Sequence, residues 1–314
     1  MCQAGGVEHS RIVVVGSANQ DYLVRVPRTP RPGETTLATG MTKQPGGKGA
    51  NQAVAAARLG GDVHFVGAVG RDDDGAVILR GLATDGVSVD DVQIVDAHPT
   101  GLALISVDAD GENSITVVSG ANATVTAERA SGVVSRLAGP GAIVVVQAEL
   151  PAPVIEATVH AAQGAGARVI VNLAPYLPLA PAALALADPL VVNETEAGQL
   201  LGSDVSDVDA ALAAMPRLLE HARSAVVTLG GAGAVWASRE GDGAGAGAHV
   251  PAPQVADVVD TTGAGDAFVG AVAFALSRGD DLGKAVALGV RAGSFAIGGV
   301  GAQRSYARAA DLDV

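Results

Sequence analysis

Cysteine, aromatic side chains and positive charge are all scarce in this sequence of 314 residues. The one cysteine, Cys2, excludes an internal disulfide framework and a zinc site built on several thiolates. Aromatics are only 3% of a chain that is 48% hydrophobic, so a core has to be filled by Ala, Val, Leu and Ile. Lys and Arg number 20 against 33 Asp and Glu, a formal net charge of −13. That balance argues against nucleic acid and anionic membranes, whose binding relies on clustered cations. No apolar run approaches the roughly 18 residues of a membrane span, and Met1–Ser10 lacks the pattern of a signal peptide. A cytoplasmic protein is expected. If it handles phosphates, it must hold them with backbone dipoles and a few cations.

What the chain has is aliphatic rhythm and 42 glycines. Short continuous apolar runs read as buried strands: Ile12–Val15, His64–Val69, Ile143–Gln147, Val169–Asn172, Pro189–Asn193 and Ala225–Leu229. Between them lie helical stretches at Asn51–Leu59, Ala76–Asp85, Ala127–Leu137, Pro153–Gln163, Glu194–Leu201 and Asp207–Arg223. This alternation predicts an α/β fold, a doubly wound, mostly parallel sheet flanked by helices. Two segments break the rhythm. Tyr22–Gln44 has no helical period, and Thr100–Val118 reads as a hairpin turning at Asp108–Gly111. Together they predict a small antiparallel β lid, inserted at about 19–45 and 98–120 of a single domain spanning 1–314. Its exposed edge calls for a cover or a second copy of the chain. The tract Gly241–Ala248 reads as a surface loop.

Three glycine motifs carry chemistry. Asp260-Thr-Thr-Gly-Ala-Gly-Asp266 runs into the apolar stretch Ala267–Leu276. A glycine pair opening a helix leaves amides free to bind an anion. Asp266 at that mouth either caps the helix or accepts the proton of a hydroxyl attacking a phosphoryl group. Gly46-Gly-Lys-Gly-Ala-Asn-Gln52 offers close backbone approach plus the Lys48 and Asn51 side chains, or is a glycine turn with a surface lysine. It is not a Walker A loop, since no Ser or Thr follows the lysine. Gly16-Ser-Ala-Asn19-Gln-Asp21 follows the first strand, where ligands bind in open α/β sheets. Asn19 and Asp21 suit paired sugar hydroxyls or form an Asx turn. Other strand ends carry Gln147 and Glu149, Asn172, the pair Asn193 and Glu196, and the turn Thr228–Gly233. Asn193 with Glu196 suits Mg²⁺ held through water and phosphates, although first-turn acids also favour a helix dipole. The turn from Thr228 through Gly230 to Gly233 suits a nucleotide or a tight hairpin. Asp72–Asp74 reads as a helix start. No GxGxxG, HExxH or GxSxG occurs.

These motifs in this order resemble the ribokinase, or PfkB, family of carbohydrate kinases, over nearly the whole chain from Ile12 to Ser305. The resemblance implies ATP-dependent phosphorylation of a sugar hydroxyl, and the motif details look most like members acting on the 5-hydroxyl of D-ribose. It implies Asn19, Asp21, Gly46, Gly47, Lys48, Asn51 and Glu149 as sugar ligands, with Asp266 as base at the substrate. Asn193, Thr228, Gly230 and Gly233 would line the ATP site, with Gly263, Ala264 and Gly265 at the phosphates and Glu196 on Mg²⁺ indirectly. A monovalent cation, usually K⁺, would be held by Asp260, Thr262, Ala296, Gly299, Gly301 and Ser305, mostly through backbone carbonyls. A homodimer through the β lid is expected as well. Departures are Leu173, where many members have Pro, Val290, where a polar residue often lies by the adenine, and the unusual Gln44-Pro45 before the glycine pair. Other readings are the same chemistry on deoxyribose, fructose or a nucleoside, a non-catalytic sugar or nucleotide sensor, and, more remotely, a dinucleotide oxidoreductase.

Overall fold

The fold is given by a computed structural model that describes residues 10–109, 113–240, 245 and 247–314. Cys2, the tip of the Asp108–Gly111 turn and most of the Gly241–Ala248 tract lie outside the described residues.

In chain order the strands are β1 Ile12–Val15, β2 Asn19–Arg25, β3 Gly40–Gly46, β4 Val63–Val66, β5 Ala68–Gly70, β6 Gln93–Val95, β7 Gly101–Val107 and β8 Asn113–Val118. They continue as β9 Ile143–Gln147, β10 Arg168–Asn172, β11 Leu190–Asn193, β12 Ser224–Thr228, β13 Ala234–Ser238 and β14 Ala248–Val250. The helices are α1 Lys48–Arg58, α2 Asp73–Thr84, α3 Ala127–Leu137, α4 Ala152–Gly164, α5 Pro181–Leu184, α6 Glu194–Leu201, α7 Val208–His221, α8 Ala264–Ser277, α9 Leu282–Ala296 and α10 Ala302–Ser305. Asp72 caps α2 through the Gly75 amide, as its sequence suggests.

An eight-stranded sheet takes the order β14-β13-β12-β11-β10-β9-β1-β4. The six strands from β12 to β4 are mutually parallel, and β13 and β14 add an antiparallel edge. Its central strands are Val- and Ile-rich because helices cover both faces. Ile12 and Val14 of β1 enter one core with α1, α8 and α9, and Val13 and Val15 enter the other with α3, α4 and α7. Small residues compensate for the missing aromatics by letting helices approach closely. A Cβ on Gly270 of α8 would sit 2.5 Å from Ala55 Cβ of α1. Among the described residues no helix is long and apolar enough to cross a membrane.

The His64–Val69 run does not stay one strand. It breaks at Gly67 into β4, in the main sheet, and β5, which pairs with β6 in a separate ribbon. A second sheet has the order β3-β2-β7-β8, built from the two segments that break the α/β rhythm. Its outer pairs are antiparallel, joined by the parallel pair β2 and β7. Asn19 and Asp21 therefore stand on a strand and form no Asx turn.

Candidate active site

Two helices bring their first turns to one point. Gly263, the N-cap of α8, has φ +76. A Cβ there would also lie 2.5 Å from the Tyr306 hydroxyl and 2.6 Å from Ala302 Cβ, so both conformation and space require glycine. No side chain caps this helix, and the Gly265 and Asp266 amides meet no acceptor among the described residues. With the helix dipole they form a place suited to an anion.

Asp266 is buried in that first turn and does not cap it. Both its carboxylate oxygens are taken by residues near the start of α1. Asn51 Nδ2 donates to Oδ2 and Gln52 Nε2 to Oδ1, each at 2.9 Å. The amides are themselves held. Gln303 Nε2 donates to Asn51 Oδ1 at 3.0 Å, and Gln147 Nε2 donates to Gln52 Oε1 at 2.7 Å. Each carboxylate oxygen keeps acceptor capacity for one further proton.

Beside Asp266 lies a polar cluster that gathers the other glycine motifs. Asp21 is buried under the second sheet, its Oδ2 only 2.1 Å from where a Cβ on Gly46 would stand, so no larger residue fits there. Burial first, then the charges of Glu149 and Asp266, push the Asp21 pKa up to about 7. Asn19 Oδ1 accepts from Asn122 Nδ2 at 2.8 Å, fixing its orientation. Gly47 is the N-cap of α1, and Glu149 covers that helix start, accepting from the Lys48 amide at 3.1 Å and from the Ser17 hydroxyl. Burial alone would lower the pKa of Lys48, but Asp266, Glu149 and Glu196 outweigh it and hold the ammonium above its ordinary value.

Lys48 also lines a cleft of about 560 Å³. Asn193, Thr228, Gly230, Gly233, Ala264 and Gly265 form other parts of its wall. Gly263 does not line the cleft; it is the N-cap of α8, whose first residues Ala264 and Gly265 do. Val290 faces the cleft with Phe268 and Ile297, giving an apolar slot in place of a polar contact. Asn193 and Glu196 make a reciprocal capping box on α6, Asn193 Oδ1 accepting from the Glu196 amide at 2.8 Å and Glu196 Oε2 from the Asn193 amide at 2.9 Å. Glu196 Oε1 accepts no hydrogen bond among the described residues. Burial, offset in part by the Asn193 amide and Lys48, pushes the pKa of Glu196 upward.

The third set closes around α10. Asp260 accepts from the Thr262 and Gly301 amides, each at 2.9 Å. Burial opposes ionisation of Asp260, but these hydrogen bonds and the Arg25 charge outweigh it and hold its pKa below the ordinary value. Ser305 Oγ donates to Gly301 O at 2.8 Å, the Gly299 amide donates to Ala296 O at 3.2 Å, and a Cβ on Gly299 would meet Ser305 Cβ at 2.9 Å. These are hard oxygen donors, a set that suits an alkali cation stripped of its water.

The structure thus assembles the sequence-derived residues into three adjoining groups around α8. It adds Gln52, Gln303, Ser17 and Asn122, which the sequence reading did not single out. Gln52 closes the glycine motif, in which the sequence assigns side-chain roles to Lys48 and Asn51 alone. Gln303 carries no local signal, because its partner lies 252 residues away. Gln44 is buried against Gly301, and its Nε2 has no hydrogen-bond partner among the described residues.

Comparison with known proteins agrees with this geometry. Residues 9–309 match the model of the pfkB family carbohydrate kinases. The ribokinase of Bacillus subtilis is 37% identical over 93% of this chain and 94% of its own length. A bifunctional ribokinase/ribose-5-phosphate isomerase A of Fructilactobacillus sanfranciscensis is also 37% identical over 94% of this chain, which spans only 54% of that longer protein. A deoxyribokinase of Salmonella typhi is 34% identical over 94% of this chain and 95% of its own. Among solved structures, Arabidopsis thaliana ribokinase complexed with ribose and ATP matches with a TM-score of 0.87 and 31% identity over 97% of each chain. A family match over nearly the whole chain, on a fold whose uncapped helix start and buried aspartate stand together, leads to one conclusion: the chain belongs to the pfkB family of carbohydrate kinases.

Proposed function

We propose that this phosphotransferase moves the γ-phosphoryl group of ATP to the 5-hydroxyl of D-ribose. The observation that carries the reading is the position of Asp266, at an uncapped helix N-terminus between the Asp21 cluster and the cleft. In this reading Asn19, Asp21, Asn51, Glu149 and the backbone at Gly46 and Gly47 hold the sugar hydroxyls. ATP occupies the cleft, its adenine in the apolar slot beside Val290.

Asp266 takes the proton of the attacking hydroxyl while the new O–P bond forms and the bond from the γ-phosphorus to the bridging oxygen breaks, releasing ADP. The Gly265 and Asp266 amides, set by the Gly263 turn and the flanking Ala264, face the charge carried by the transferring group. Lys48, kept cationic by three carboxylates, offsets negative charge between the two substrates. Magnesium, when bound, neutralises phosphate charge, and the Glu196 carboxylate with Asn193 would hold it through water. Potassium would sit among Asp260, Thr262, Ala296, Gly299, Gly301 and Ser305, where it would steady the loop before the anion hole.

The β2, β3, β7 and β8 sheet serves as the lid, formed by segments 19–45 and 98–120 of a domain spanning the chain. Closure excludes water and limits ATP hydrolysis. A second copy covers the exposed Ile115 and Leu104 of the lid sheet, giving a homodimer. The experiment is a coupled ADP-release assay with ribose, deoxyribose, fructose and nucleosides, in K⁺ and in Na⁺. Highest kcat/KM with ribose, lowered in Na⁺, is expected. A clear preference for another acceptor would overturn the substrate, and no ADP from any sugar despite ribose binding would overturn the reaction.

A further inference from the structure

We propose that Gln52 is a positioning residue for the base, and that a backbone carbonyl 139 positions along the chain dictates which end of its amide faces Asp266. Gln52 is 1% exposed, at the start of the second turn of α1. Its Nε2 has two N–H bonds, and both are used: one on Asp266 Oδ1 and one on Asn172 Oδ1, each at 2.9 Å. An amide side chain can in principle rotate by half a turn and present oxygen where nitrogen stood. Here the hydrogen-bond polarity forbids it. Val191 O can only accept, so Asn172 must offer it Nδ2, which it does at 3.2 Å. Asn172 Oδ1 then faces Gln52 and needs a donor, which only Nε2 supplies. At the other end Gln147 Nε2 donates to Gln52 Oε1 at 2.7 Å. A reversed Gln52 would set its oxygen against two acceptors, one of them a carboxylate.

The consequence falls on Asp266. Its Oδ1 always meets a donor, which fixes the plane of the group. Asn51 does the same for Oδ2, its own polarity set by Gln303. Asn51 belongs to the proposed sugar set, whereas Gln52 reaches only the carboxylate and its buried neighbours. Gln52 therefore tunes the base without a share in sugar binding, which separates the two effects.

This inference rests on Asp266 as the base. The test is the split between kcat and the ribose KM for Gln52→Met, which keeps length and loses both donors. With one of the two donors that hold its plane gone, Asp266 meets the attacking hydroxyl in the productive geometry less often, so kcat should fall by about tenfold or more. The ribose KM should stay within about threefold. Asn172→Leu removes the residue that fixes the Gln52 amide, and it should lower kcat in the same way by less. If Gln52→Met folds poorly, Asn172→Leu alone decides. An unchanged kcat in folded variants, or a rise in KM with an unchanged kcat, overturns the role of Gln52. Asp266→Asn serves as the reference: near-normal turnover there would overturn the base itself, a failure separate from that of Gln52.

Discussion

Asp21 lies within reach of two other carboxylates, Glu149 and Asp266, and its pKa stands at about 7, mainly through burial. The folded protein therefore binds this proton more tightly than the unfolded chain, whose value is near 3.8. The stability that Asp21 gives is complete below about pH 4 and is lost as pH rises through 7. Asp21→Asn should raise the melting temperature of the free protein at pH 8 and change it little near pH 4, as read by thermal unfolding at both. Sugar hydroxyls that donate to the carboxylate favour its charged form, so ribose binding should tighten between pH 6 and pH 8. Calorimetry checks this, and Asp21→Asn should bind more weakly with a flat pH profile. Asp21 was legible as a polar residue at a strand end. Its unusual acidity was not, because that depends on Glu149 and Asp266, which the fold brings in from distant parts of the chain.

At the level of the element, the first turn of α8 decides function through two glycines with opposite requirements. Gly263→Ala puts a Cβ into the Tyr306 hydroxyl at φ +76, so the turn must shift. A misplaced anion hole should lower kcat by about 100-fold, as removal of a single donor does elsewhere, together with a fall in melting temperature. A Cβ on Gly265 meets no atom within 4 Å and enters the cleft wall. Gly265→Ala should keep the melting temperature and raise the KM for ATP, read in the same ADP-release assay.

The element boundaries show what local pattern can see. Ala127–Leu137, Glu194–Leu201 and Ile143–Gln147 are read from sequence with their observed ends. The helices that carry the site are read late, from Asn51 and Ala267, whereas they start at Lys48 and Ala264. Apolar periodicity is blind to a first turn made of Gly, Lys, Ala and Asp, and that turn is where the site lies. Helix α9 and the edge strands β13 and β14 gave no clear signal. The parallel pairing of β2 with β7 joins residues about 80 positions apart, which local pattern cannot report.

For the molecule as a whole, the β3-β2-β7-β8 sheet leaves Ile115 57%, Val117 51% and Leu104 46% exposed. An apolar, open-edged sheet of this kind favours self-association. Light scattering should give a dimer, and Ile115→Lys with Val117→Lys should give a monomer with a raised KM for ribose. A wild-type monomer would contradict the lid-to-lid contact. The net charge of −13 also takes its place at this scale. On the proposed function it repels the nucleotide at long range, so binding would be won locally by amide dipoles, Lys48 and the proposed cations, and affinity for ATP should owe little to surface charge.

If Asp266 is the base of a sugar kinase, turnover and binding should part in Asp266→Asn. ADP release with ribose should fall by about 10³-fold or more, in line with loss of a general base, while calorimetric ribose affinity stays within a few fold. Turnover near that of the unaltered protein, with ribose still bound, would contradict it.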